Sequence, residues 1–256
     1  MGEVSLTRQD GSSHTFRLLV EYDGSQFMGW QVQPGMRTVQ GVLEEVLARV
    51  LAEPVRISGA GRTDRGVHAL GQVASFQTSS GRSEEEMQGA FSAWLPPDIV
   101  VREVSRAPEG FHARHSAVRR RYRYVLGLER TALDRDRCWF VRDPLGIGRM
   151  RKAARDLLGE HDFSEFTVAR SAQENNRVMV YEAQFRRRGN RLVFEIEGNR
   201  FLRRMVRAVV GALVDVGRGR LDTDVVSLGL CSDEAMPPFA VAPAQGLYLV
   251  SVTYER

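Results

Sequence analysis

The chain has 256 residues, 43% of them hydrophobic and 27% charged, the balance of a soluble globular protein with a core in one large domain or two small ones. No apolar run approaches the roughly 18 residues of a membrane span. The opening "MGEVSLTRQDGSSHTF" lacks the apolar centre of a secretory leader and, with Leu6 in sixth place, the hydroxyl of a myristoylation signal. Two cysteines, Cys138 and Cys231, with no CxxC pattern argue against a disulfide framework or a zinc site, and imply a reducing, cytoplasmic compartment.

The elements follow in chain order. Residues 1–14 read as a loose polar arm. Phe16, Leu18, Val20 and Tyr22 alternate with polar residues, a strand pattern. Thr38 caps a helix carrying Val39, Val42, Leu43, Val46, Leu47, Val50 and Leu51 at helical spacing, stopped by Pro54. "VRISGA" and "QVASFQT" read as strands either side of a glycine-rich loop. Ser83 and Glu86 form a capping box for a helix with Met87, Ala90, Phe91, Trp94 and Leu95 on one face, and "IVVREVSR" is a strand. The second half repeats this order. "VRRRYRYVLGL" is a strand, and Met150, Ala153, Ala154, Leu157 and Leu158 mark a helix. "RVMVYEAQF" and "RLVFEIEG" form a hairpin across Arg188 to Asn190, Leu202 to Val216 is a helix, and "LYLVSVTY" is the last strand, with a short extra helix near Val225 to Leu230. The fold expected is α+β, two ferredoxin-like β-α-β-β-α-β units over 15–110 and 111–256. A cleft between two sheets, or across one continuous sheet, is the default place for a site.

Net charge is +4, and 36 basic residues include a single lysine, Lys152. Arginine suits bidentate phosphate contacts, although a GC-rich genome gives the same bias. The arginines cluster in "VRRRYRY", "FRRRGNR" and "NRFLRRMVR", mixed with aromatics in the manner of a nucleic-acid surface. One acid, Asp64, stands between Arg62 and Arg65 in "SGAGRTDRGVH". An Asp next to Gly commonly just shapes a turn. Yet arginine near a carboxylate favours its charged form, and a positioned carboxylate is a nucleophile or base. Gly59, Gly61 and Gly66 allow the backbone to approach a ligand closely. His68 offers a candidate base, but a single histidine beside a glycine loop is more often structural. The chain has no GKS or GKT phosphate loop, and no second carboxylate of a glycosidase pair stands out. The local pattern favours one-carboxylate chemistry on a polyanion.

"GAGRTDRGVHALGQVASF", "VEYDGSQFMGWQVQ" with "TVQGVLEEVL", "GFHARHSAVRRRYRY", "NRFLRRMVRAVVGALVDVG" and "AQGLYLVSVTY" together resemble, in order, blocks of the tRNA pseudouridine synthase A family. The resemblance implies conversion of uridine to pseudouridine at positions 38, 39 and 40 of the tRNA anticodon arm, by a homodimer, with no cofactor and no metal. It implies that Asp64 is the catalytic carboxylate, attacking C1′ or C6 or helping to remove the C2′ proton. It gives Tyr122 the stacking position on the target base and makes Arg207 the partner of Asp64. It places Arg62, Arg82 and the segment Phe111, His112, Ala113, Arg114 and His115 against tRNA, with a weaker match at Arg170 to Glu174. Arg203 and Arg204 stand where relatives commonly have histidine, and His115 where many have phenylalanine. Two rival readings stay open: an RNA-binding protein without activity, and a hydrolase that would release free uracil.

Overall fold

The structure, a computed structural model, describes residues 13–167, 175–231 and 236–255. Strand β1 (His14–Tyr22) begins inside the expected polar arm, because its first residues already pair with β3. Helix α1 (Val39–Leu51) is capped by the Thr38 hydroxyl, which accepts from the Gly41 N–H at 3.3 Å. It buries Val39, Leu43, Val46, Leu47 and Leu51. Each such side chain contributes about 1.5–3 kcal/mol against about 1 for the cap, so packing dominates and the cap sets the start. The helix ends before Pro54, at Ala52 in the left-handed conformation (φ 55°).

Strand β2 is only Ser58–Gly59, and β3 (His68–Thr78) is long. The capping box of Ser83 and Glu86 starts α2 (Glu84–Trp94), which buries Met87 and Phe91. Trp94 does not join that face and is half exposed. Strand β4 (Ile99–Arg106) completes the first set.

The second set is β5 (Ala117–Gly127), α3 (Ile147–Arg155), β8 (Arg177–Arg188), β9 (Arg191–Gly198), α4 (Met205–Gly217) and β10 (Leu247–Tyr254). Leu157 and Leu158 lie past the end of α3, Leu157 buried and Leu158 exposed. Helix α5 (Val225–Leu230) falls where the sequence places it. Two short strands, β6 (Trp139–Phe140) and β7 (Gly159–Asp162), are additions, too short for a periodic signal.

Within the first set the strands lie β4-β1-β3-β2, and within the second β10-β5-β9-β8, all neighbours antiparallel. This is one ferredoxin-like order used twice. The two sets form one sheet, since Tyr248 and Leu249 of β10 pair in parallel with His68 and Ala69 of β3. The seam is therefore only two residue pairs long. Beyond it a small second core fills the gap, where Ala60, Val73 and Ala113 pack with Leu19, Phe111, Val252 and Tyr254. Helix α4 is buried on nearly every side and runs against the segment around Ala240, where the Ala242 N–H donates to the Arg207 carbonyl at 3.1 Å. Both cysteines are free. No helix among the described residues is long and apolar enough to cross a membrane.

Candidate active site

The loop between β2 and β3 carries Asp64 to the seam. Its backbone is tied down by the first set. The Trp30 N–H donates to the Thr63 carbonyl (3.1 Å), the Tyr22 and Thr63 hydroxyls lie 2.8 Å apart, and Gln72 Nε2 donates to the Gly61 carbonyl (2.7 Å). Two of the three glycines serve this packing rather than a ligand. A Cβ on Gly59 would lie 2.5 Å from the Trp30 ring, and Gly66 has φ +77°. The third, Gly61, faces the C-terminal half: a Cβ there would stand 3.4 Å from the Tyr122 hydroxyl.

The arginines adjacent to Asp64 in sequence do not hold it. Arg62 and Arg65 are exposed, with no ion pair among the described residues. The carboxylate is gripped instead from α4, where Arg207 Nη1 donates to Asp64 Oδ2 at 3.2 Å across 143 residues of chain. Arg207 is itself fixed by donating through Nε to the Ala242 carbonyl at 2.7 Å. Its side chain is 15% exposed and that of Asp64 27%, so the pair is partly shielded and still reached by solvent. A second guanidinium, that of Arg204, stands with Nε 3.9 Å from the same oxygen. Among the described residues no group bonds to Oδ1.

Tyr122 and Tyr124 share one face of β5, and both are buried, so neither is the solvent-facing member of the pair. Tyr124 donates to the Pro243 carbonyl (2.7 Å), whereas the Tyr122 hydroxyl has no partner among the described residues. The Tyr122 ring meets Phe201 edge-on at 5.1 Å. Burial pushes its phenol up to about 12, the charge of Arg120 pulls the other way, and Asp64 adds to the rise. Asp64, Arg207 and Tyr122 are thus brought together from three elements and both halves.

The segment Phe111 to His115 sits beside this group. Ala113 is fully buried, donating its N–H to the Ser75 hydroxyl (3.0 Å), so its side chain meets no partner outside the fold. Phe111 packs on Tyr254, and the His112 and His115 rings lie 4.4 Å apart, tilted by 50°. Burial and the neighbouring His115 hold the His112 imidazole below its usual pKa. Arg114 and His115 face solvent. Arg82 stays at the start of α2, paired with Glu86 at 2.7 Å. Arg170 to Glu174 lies outside the described residues. His68 is buried, its Nε2 facing the carbonyls of Asp136 (3.0 Å) and Gln245 (3.2 Å) while the Gly24 N–H donates to Nδ1 (3.1 Å). Burial lowers its pKa while Asp23, whose Oδ1 lies 3.1 Å from Nδ1, pulls the other way, and the ring ties β3 to the segments around Asp136 and Gln245.

One residue the sequence reading passed over is Arg120. Its Nη1 donates to the carbonyls of Ala117 (2.9 Å) and Asn199 (2.7 Å), and its Nη2 to those of Arg114 (2.7 Å) and Ala60 (3.3 Å). One guanidinium thereby joins the Asp64 loop, the 111–115 segment and the turn before α4. Strand periodicity was the available signal, since Arg120 shares a face with Tyr122.

Comparison with known proteins shows the family. A family model described as "tRNA pseudouridine synthase" matches residues 18–116 and 153–255. The chain belongs to the tRNA pseudouridine synthase family. Asp64 and Arg207 fall inside the matched segments, and Tyr122 falls between them. A protein named tRNA pseudouridine synthase A from Geobacter sulfurreducens is 41% identical over 242 residues, covering 94% of this chain and 99% of that one. Proteins of the same name from Chlorobaculum tepidum and a Thermoanaerobacter strain are 42% and 41% identical, over 95% and 93% of this chain and 99% and 98% of theirs. The family resemblance therefore runs through both halves of the sheet.

Proposed function

We propose that this protein isomerises uridine to pseudouridine in tRNA, at positions 38, 39 and 40 of the anticodon arm, with Asp64 as the reacting carboxylate. The observation that carries the reading is the grip on Asp64: Arg207 holds Oδ2 from the opposite half, and no group among the described residues bonds to Oδ1. That arrangement neutralises and aims an oxygen without using it up. The reaction breaks the bond between C1′ and N1, turns the base, joins C1′ to C5 and releases the C5 hydrogen as a proton, while N1 takes up a proton. Reactant and product are isomers, so nothing is oxidised and no group is imported.

The target base has to leave its stack, at a cost of a few kcal/mol that the pocket recovers by stacking and pairing. Tyr122 supplies an aromatic face and a hydroxyl without a partner among the described residues for this. It acts as a neutral phenol, because its proton is held until about pH 12. Arg62, Arg114 and His115 supply exposed contacts to RNA around the site, and the family resemblance carries with it a homodimer working in the cytoplasm.

The test is tritium release from a tRNA transcript labelled at C5 of uridine, comparing the native protein with Asp64→Asn. Release by the native protein and a fall of at least about 10⁴-fold in the variant, with tRNA retention on a filter within about twofold, is the expected result. Substantial release by Asp64→Asn would remove the carboxylate from the chemistry. Free uracil among the products would mark a hydrolase, and binding without release an RNA-binding protein.

A further inference from the structure

Arg204 combines two features that its neighbours do not share. Its backbone lies in the left-handed region (φ 62°, ψ 3°) at the entrance to α4, and it makes no side-chain cap there. Apart from Ala52, which closes α1, it is the one non-glycine residue with positive φ among the described residues. A side chain with a Cβ is strained in that conformation, and such strain persists where the surrounding structure or a function requires it. The second feature is placement. Nε lies 3.9 Å from Asp64 Oδ2, too far for a hydrogen bond, and the side chain is 42% exposed. No other partner holds it among the described residues.

The charge at this point is unbalanced. Arg207 is nearer to Oδ2, less exposed and anchored on the Ala242 carbonyl, so Asp64 already has its counter-ion. Arg204 leaves one positive charge over. The terminal nitrogens of its guanidinium are not engaged by Asp64, which leaves a planar fork free for a bidentate acceptor. Arg62, Arg65 and Arg203, all exposed and without an ion pair among the described residues, add to the same field.

Resting on the synthase reading, we propose that Arg204 binds a backbone phosphate flanking the target uridine, holding the turned-out nucleotide with its ribose against Asp64. Phosphate is the nearest anion to C1′ in any such substrate, and its two non-bridging oxygens match the free fork.

Arg204→Gly tests this, because glycine relieves the backbone while deleting the guanidinium. The melting temperature of the variant is expected to stay the same or rise, while kcat/KM for tritium release falls about tenfold. On an Asp64→Asn background, the slope of log K for tRNA against log salt is expected to fall in magnitude by about 0.7–0.9 when Arg204 is also removed. That binding arm needs no turnover, so it separates failure of this proposal from failure of the synthase reading, which would show as no tritium release by the native protein. A substrate with a neutral methylphosphonate next to the target uridine closes a double-mutant cycle: Arg204→Gly should cost little on it. A lowered melting temperature with an unchanged salt slope would make Arg204 structural and overturn the proposal. An equal loss on charged and neutral linkages would overturn it as well.

Discussion

The segments Val118–Tyr124 and Asn199–Arg207 look alike as sequence, each dense in arginine and each with an aromatic among the basic residues, but they end in opposite electrostatic states. In the first, the register of β5 on β9 sets Arg121 opposite Glu197 and Arg123 opposite Glu195. Arg121 pairs with Glu197 and Glu182 (2.8 Å each), Arg123 with Glu195 (2.9 Å) and Arg119 with Glu197 (3.1 Å). Arg120 turns to the other side and holds four carbonyls. In the second segment a turn and a helix start meet a single acid among the described residues, Asp64. A basic run marks an RNA surface only where its neighbours in space are not acidic. The third run, Phe185 to Arg191, is intermediate. Arg191 pairs with Asp134, Arg186 lies 3.8 Å from Glu182, and Arg188 is without a partner among the described residues.

The largest test of this contrast is Arg207→Ala, expected to lower kcat for tritium release by about 100-fold through misplacement of Asp64. Arg207→Lys should recover little of it, since an ammonium cannot span both Asp64 and the Ala242 carbonyl as the fork does. Full recovery by lysine would reduce the contact to bare charge. Next comes Arg120→Ala, which removes the donor to four carbonyls. The Arg114 carbonyl is exposed and regains water; with about 1–3 kcal/mol for each of the three part-buried ones left unsatisfied, urea unfolding should show a loss of at least about 3 kcal/mol, together with about tenfold lower turnover. Intact stability in that variant would mean that water replaces the guanidinium.

The electrostatic contrast is sharpened by a smaller pair of measurements. Arg203→Ala should reduce the salt slope of tRNA binding by about 0.7–0.9, whereas Arg121→Ala should leave the slope unchanged and cost at most about 1 kcal/mol of stability. Equal slopes in the two variants would erase the distinction drawn here. The smallest effect belongs to the pH profile of Tyr122→Phe. Burial raises the phenol to about 12, so the proton is present at every lower pH and is lost only above that value. Native protein and variant should therefore give rate profiles of the same shape from pH 6 to 9, whatever their absolute rates. An alkaline limb in that window, present in the native protein and missing from the variant, would contradict the burial argument.

Much of this architecture was legible beforehand, for local reasons. Thr38 and the Ser83–Glu86 box start their helices as read, because capping involves residues three apart. Alternation identified β1, and seven apolar residues at helical spacing identified α1, five of which the structure buries. Where neighbours in space override local pattern the reading slipped. Trp94 has the spacing of a core residue but emerges at the end of α2. "VRISGA" has strand propensity, yet the chain leaves the sheet after Gly59 to form the Asp64 loop.

What the sequence determined by itself is the type and order of the elements, twice β-α-β-β-α-β, since periodicity and caps are properties of a few consecutive residues. It also singled out Asp64 by its setting. The tertiary structure alone decided that the two sets share one sheet through two residue pairs, that Arg119, Arg121 and Arg123 are cancelled by glutamates, and that Asp64 takes its counter-ion from α4 instead of from Arg62 or Arg65. Each of these depends on strand register and on how chain segments far apart in sequence close on one another. Two arginines in the same loop can leave an acid unpaired, while one 143 residues later is carried to it by a buried helix.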